Sequence, residues 1–213
     1  AERFNIDIQD LRAPLDVEET SRIDVEDDYT LILVDIPTQE ERNNKSYYVT
    51  IPLGIIVTDE VVVTTCLENI SLMDDFLNHR VRNFYTFMKT RFVFQILYRN
   101  AQLYLTALRS IDRQNDKLEA QLENSTKNEH LIDMMELEKS IVYLKASLKM
   151  NERIVKKLTG NASSLKKYIE DEDLLEDTLV ETQQAIEMAG IYENVLNAMA
   201  ETSASIIGNN QNT

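Results

Sequence analysis

Six carboxylates fall within the eight residues Glu170-Asp171-Glu172-Asp173-Leu174-Leu175-Glu176-Asp177. Asp173, Asp177 and Glu181 recur every four residues, which on a helix sets three like charges on one face, where they oppose folding unless something compensates. Two compensations are open. Acids in the first turns of a helix favour its dipole, and a charge run is commonly a solvated face. Alternatively, a hard divalent cation such as magnesium takes one or two carboxylates and keeps several waters. If a second acidic segment, Asp16-Val17-Glu18-Glu19, faced this helix from a neighbouring copy, Asp16 or Glu19 would meet Asp173 and Asp177 across the ion. Losing the ion would then let two subunits separate.

Other chemistry is scarce. His79 and His130 have no companion ligand at helical spacing and read as surface histidines. The four glycines, Gly54, Gly160, Gly190 and Gly208, are dispersed, so there is no glycine-rich phosphate loop. No Gly-x-Ser-x-Gly elbow or Cys/His pair offers a nucleophile. The single cysteine, Cys66, sits in the apolar run Val61 to Cys66 as a small core residue, with no internal disulfide to form and a reducing compartment implied. An enzyme is not the expectation.

Charge is uneven along the 213 residues, whose formal net charge is −15. Residues 1–41 carry 13 acids and 3 bases, residues 42–167 carry 14 acids and 19 bases, and residues 168–213 carry 10 acids and no base. Two acidic ends around a mildly basic middle repel nucleic acid, which is bound through lysine and arginine. No run approaches the roughly 18 to 20 apolar residues that span a bilayer, so the chain reads as soluble.

The elements that would position the acids follow from periodicity. Thr30 to Ile36, Tyr47 to Leu53, Ile55 to Val57 and Val61 to Thr65 are β-branched, apolar strands, with Thr58-Asp59-Glu60 a turn between the last two. The acid-rich segment from Asp10 to Asp28 reads as a short helix or helix and loop. A short helix around Leu72 to Leu77 precedes two long ones. Leu97, Ala101, Tyr104, Leu108, Ile111, Asn115, Leu118 and Leu122 form the first seam. Met134, Leu137, Ile141, Leu144, Leu148, Asn151, Val155 and Leu158 form the second. Broken at Asn124 to Asn128, they predict an antiparallel hairpin, whose two seam asparagines either set register or sit at the wet edge.

Beyond Gly160 to Ser164 a single helix is expected from Tyr168 to Thr213, about 70 Å long at about 1.5 Å per residue. Its seam is Ala185, Ala189, Tyr192, Leu196, Met199, Ser203 and Ile206. Such a stalk is expected to bury itself against partners other than its own chain. The fold class is therefore α+β: a small N-terminal sheet with helical covers (1–68), a long antiparallel helical hairpin (69–167) and a long C-terminal stalk helix (168–213).

The order of these features resembles the CorA-type divalent-cation transporters. The likeness is carried by Phe4-Asn5-Ile6, by Ser21-Arg22-Ile23-Asp24 and Asp28-Tyr29, and by the β-rich run Gly54 to Thr64. It continues through Leu137-Glu138-Lys139-Ser140-Ile141-Val142-Tyr143 and the C-terminal Glu201-Thr202-Ser203-Ala204-Ser205-Ile206-Ile207-Gly208-Asn209-Asn210-Gln211-Asn212. It spans essentially the whole chain and stops where the family's first membrane span would begin. The resemblance implies the cytoplasmic domain of a homopentameric magnesium channel, anchored in the cell membrane by spans outside this chain, with regulatory Mg2+ between subunits favouring closure.

It also implies that Asp177 falls on the regulatory stalk aspartate, and that Glu201 and Asn212 are pore-facing. The family's N-terminal Glu-Asp pair falls near Arg12-Ala13, which cannot bind a cation, so either Asp16, Glu18 or Glu19 replaces it or the role is missing here. Co2+ or Ni2+ are alternative ions. Rival readings are a soluble helical scaffold that binds protein partners and the cytoplasmic domain of a zinc-transporting relative; the absence of cysteine or histidine near the acidic run favours magnesium.

Overall fold

The computed structural model describes residues 1–124, 128–160, 165 and 169–211. Four antiparallel strands form one sheet in chain order: β1 (Arg22–Val25), β2 (Tyr29–Arg42), β3 (Lys45–Thr58) and β4 (Val62–Cys66). β2 and β3 pair from Tyr29 opposite Thr58 to Arg42 opposite Lys45. Asn43 and Asn44 join them with φ of 53° and 59°, the two left-handed residues of a type I′ turn.

The sheet is covered on both faces. Ile32, Val34, Ile36, Ile51, Leu53 and Ile55 pack with the long helices, while Leu31, Leu33 and Ile56 pack with Ile6 beneath the short helix α1 (Ile8–Arg12) and its neighbours.

Two expectations for the sheet are corrected. First, strand pieces on either side of Gly54 are one continuous strand; the glycine is needed because a Cβ there would lie 2.3 Å from Pro14 Cγ, so only a hydrogen lets the single-turn 3₁₀ helix Ala13–Leu15 lie against β3. Second, the segment read as helix and loop contains β1. Ile23 packs toward the core, whereas Arg22 Nε reaches Asp24 Oδ2 at 2.5 Å on the same strand. Charged side chains of this kind blunt a sheet edge against unwanted pairing.

The helical layer consists of α2 (Ser71–Leu77), α3 (Lys89–Asn124), α4 (Asn128–Thr159) and α5 (Ile169–Gln211). Every seam position from Leu97 to Leu118 on α3 and from Met134 to Leu158 on α4 is buried, which is the antiparallel hairpin that the periodicity predicts. The α5 seam is also real, but its partner differs from the expectation. Ala185, Ala189 and Leu196 are buried in one cluster with Leu108, Ile111, Leu137, Ile141 and Leu144 of the same chain. The stalk is thus the third helix of an intrachain bundle, because two paired long helices offer a groove that takes most of its length. Ile206, 46% exposed, lies outside that seam.

Both seam asparagines are buried rather than at a wet edge. Asn151 does not set the helix–helix register; it binds the sheet. β1 ends opposite Leu33, and the next outward main-chain pair, at Asp35, is taken over by side chains. Asp35 N–H donates to Asn151 Oδ1 at 3.0 Å, and its carbonyl accepts from Asn151 Nδ2 (2.7 Å), Asn100 Nδ2 (2.8 Å) and Tyr104 Oη (3.0 Å). These bonds satisfy backbone groups that would otherwise be orphaned. Burial raises the carboxyl pKa of Asp35, partly offset by a hydrogen bond from Ser147.

Two predictions follow from this packing. Gly54→Ala overpacks the contact with Pro14 and destabilises the protein by about 1–3 kcal/mol, read from urea unfolding midpoints. A raised folded pKa means that the native state holds the Asp35 proton more tightly than the unfolded chain, so stability falls as pH rises from the ordinary carboxylate range through the folded value. Asp35→Asn therefore raises Tm at about pH 7, with a gain that vanishes at about pH 3.

Candidate cation site at the head of the last helix

The first turns of α5 divide their acids between two faces. Asp171 is fully buried, as are Leu175, Thr178 and Thr182 at helical spacing, so this edge of the helix points into the bundle. Asp171 Oδ1 meets Arg91 Nε of α3 at 3.0 Å, the two side chains being 1% and 13% exposed. On the opposite face, Glu172, Asp173, Glu176 and Asp177 are all exposed. Further along, Lys145 Nζ pairs with Glu193 Oε2 at 2.6 Å, and Gln183 Nε2 donates to Glu152 Oε1 at 3.0 Å. Arg91 of α3 and Lys145 of α4 thus hold acids of a helix that has no base of its own, Gln183 of α5 adds a hydrogen bond to α4, and the head keeps an outward carboxylate face.

The N-terminal candidates have local partners. Asp16 is exposed, and its Oδ1 accepts from Glu18 N–H at 3.0 Å, closing a turn just after the Ala13–Leu15 segment. Glu19 Oε1 accepts from Thr20 N–H and contacts the Arg22 guanidinium, so its charge is answered within its own loop. No group of three or more His, Cys, Asp or Glu is placed to hold a metal ion among the described residues. One chain therefore does not bring Asp16 or Glu19 together with Asp173 and Asp177.

Glu201 is exposed on α5, and Asn212 lies outside the described residues. His79 is exposed in the turn after α2, and His130 is half-buried at the start of α4. Cys66 is half-buried beside the core, its thiol pKa raised by burial. What sequence reasoning missed is Asp171, whose partner lies 80 residues away. The available signal was that Asp171, unlike Asp173, falls in phase with the inward-facing positions Leu175, Thr178 and Thr182.

The donor set fits a hard ion. Exposed aspartates one turn apart offer oxygen ligands with room for retained waters, the environment that magnesium accepts. A second exposed stripe continues from this head: Val180, Ile191 and Val195, exposed by 62%, 59% and 44%, lie on the same outward side of α5. No helix among the described residues is long and apolar enough to cross a membrane.

The chain is thus an α+β body that carries a long helical rod with an exposed carboxylate head and an exposed apolar flank. The comparisons give its family: the model described as CorA-like Mg2+ transporter protein matches residues 1–213, and the chain belongs to that family, one of transporters rather than enzymes. The cobalt/magnesium transport protein CorA of Methanocaldococcus jannaschii is 25% identical over 220 residues, covering 97% of this chain and 64% of the relative's length. The chain thus spans less than two thirds of that relative.

The solved soluble domain of CorA from Methanocaldococcus jannaschii superposes with a TM-score of 0.85 at 24% identity, covering 96% of this chain and 81% of that one. The complete CorA magnesium transporter from the same organism gives 0.85 at 22% identity, covering 99% and 66%. The cytoplasmic domain of ZntB from Vibrio parahaemolyticus RIMD 2210633 gives 0.68 at 11% identity, covering 100% and 82%. These structural likenesses establish a shared fold.

Removing one partner of a buried ion pair leaves the other charge uncompensated in the interior. Arg91→Met is expected to cost about 3 kcal/mol in chemical denaturation, whereas Asp173→Asn, at an exposed position, shifts the midpoint little.

Proposed function

We propose that the chain is the cytoplasmic regulatory domain of a homopentameric magnesium channel, held at the cell membrane by spans outside this sequence, and that it senses intracellular Mg2+ at the head of α5. The observation that carries this reading is the outward pair Asp173 and Asp177, exposed and one turn apart on a helix without a single base. In an assembly, these carboxylates face a neighbouring copy, whose Asp16 or Glu19 completes the ligand set. The facing carboxylates then repel across the same boundary when the cation is scarce. The exposed flank at Val180, Ile191 and Val195 supplies apolar contact between copies. Glu201 and Asn212 line the path that continues toward the membrane, and Co2+ or Ni2+ are the alternative ions of the same site.

A second reading keeps the architecture and changes the ion to zinc, favoured by the likeness to ZntB. Hard oxygen ligands without a nearby thiolate or imidazole weigh toward magnesium.

The test is thermal unfolding of the 213-residue chain with and without millimolar Mg2+, alongside sedimentation. Ligand at 100 times its Kd stabilises a folded state by about 2.7 kcal/mol. Mg2+ should raise Tm and favour the oligomer, and Asp177→Asn with Asp173→Asn should remove most of both effects. Equal Mg2+ shifts in the double variant and the parent would refute the assignment, and a larger response to Zn2+ than to Mg2+ would select the second reading.

A further inference from the structure

On the side of the body where α5 begins, a cavity of ≈ 600 Å³ is walled by Arg80, Arg82, Arg91, Arg99, Tyr98 and Leu174. No carboxylate is among its described lining residues. In a chain of net charge −15, four guanidiniums around one hollow call for a cause.

Their internal compensation is incomplete. Arg99 and Arg80 share a single acid, Asp75, at 3.1 and 3.6 Å, and Arg91 is paired with Asp171. Arg82 is exposed and has no carboxylate partner among the described residues. Among the described residues, Arg82 is thus left without an acid while Arg80 and Arg99 divide one between them. Arg99 Nε is buried with no hydrogen-bond acceptor, a donor whose burial costs free energy until something accepts from it.

The hollow is also built before any ligand arrives. Arg91 and Arg99 stand two turns apart on α3. Arg80 and Arg82 lie on the loop after α2, where His79 and Asn83 take left-handed φ of 55° and 56°. Phe84 pins this loop by packing against Phe76 and Phe92, with ring centroids 5.1 and 5.0 Å away. Gln95 Nε2 adds a hydrogen bond to the Arg82 carbonyl at 3.0 Å.

We propose that this cavity binds a small phosphate-bearing anion carrying two or more negative charges. Arginine forks match phosphate oxygens in two-point contacts, and several guanidiniums around one hollow favour a group that carries more than one negative charge. The volume lies within the range of small-molecule sites and exceeds what inorganic phosphate fills. Tyr98 and Leu174 give the remaining wall an apolar and aromatic character suited to the organic part of such a molecule. The site is independent of the cation site, although Arg91 belongs to one and braces the helix that carries the other.

The test is calorimetric titration of the 213-residue chain, in low-salt buffer with chelator, using inorganic tripolyphosphate and ATP as probes. Saturable binding of one anion per chain is expected. Arg82→Gln, at an exposed position outside the core, should weaken it about tenfold, and Arg82→Gln with Arg99→Gln should weaken it further. Lys139→Gln, on the exposed side of α4, should leave it unchanged. Tighter ATP than tripolyphosphate places the organic group on Tyr98, while equal affinities mean that the arginines read phosphate alone; either supports the site. No saturation by either probe, or equal affinity in Arg82→Gln and parent, overturns it. If the arginine variants bind no differently but change the oligomeric state, the patch belongs to contacts between copies and the proposal fails.

Discussion

The peptide group of Asp35 is where the two halves of this fold are tied. A central strand outruns its short neighbour, and the exposed N–H and carbonyl are satisfied by Asn151 of α4 and by Asn100 and Tyr104 of α3. Apolar burial alone would let long helices slide or rotate on a sheet, because hydrophobic contact is not directional. Hydrogen bonds from two helices to one residue leave a single placement. Once α3 and α4 are fixed, the groove between them is fixed, and α5 has one place to lie. The acidic head of α5 is therefore aimed by a residue in the sheet.

Electrostatics then sorts the acids of α5. Those that face inward meet cations from the basic middle of the chain, as Asp171 meets Arg91 and Glu193 meets Lys145. Those that face outward meet water. Part of the uneven charge along the sequence is thus internal complementarity, and the acids exposed along α5 and in the N-terminal loops face water. The same sorting leaves Arg82 without a carboxylate partner among the described residues, beside Arg80, Arg91 and Arg99 around one hollow.

Much of this was legible in the sequence. Leu97 to Leu118 and Met134 to Leu158 repeat at helical spacing, and a seam of that length leaves no other element type. The partner of the α5 seam was not legible, because burial against one's own helices and burial against a neighbour's produce the same periodicity. β1 was hidden by its charges: Arg22 and Asp24 look like loop residues until they are seen on a solvated edge. Spacing singled out Asp173 and Asp177 as candidates, and the structure places both on the outward face of α5; Asp171 looked equivalent because its cation is distant in sequence. Asp16 and Glu19 could not be judged from composition, since their satisfaction by neighbouring amides and Arg22 depends on a turn that only the folded chain displays.

The β2–β3 ribbon runs 14 residues on each side, about 45 Å at about 3.3 Å per residue. Near its tip Tyr47 is buried among Tyr104, Leu118 and Met134, while Arg42 and Lys45 reach Glu136 and Asp133 at 3.0 and 2.7 Å. A strut fastened at both ends to the same pair of helices removes the hinge that would otherwise lie between sheet and rod. A twist of α3 and α4 is therefore carried into the sheet at two separated points rather than one, so the described parts of the sheet and of the two helices turn together.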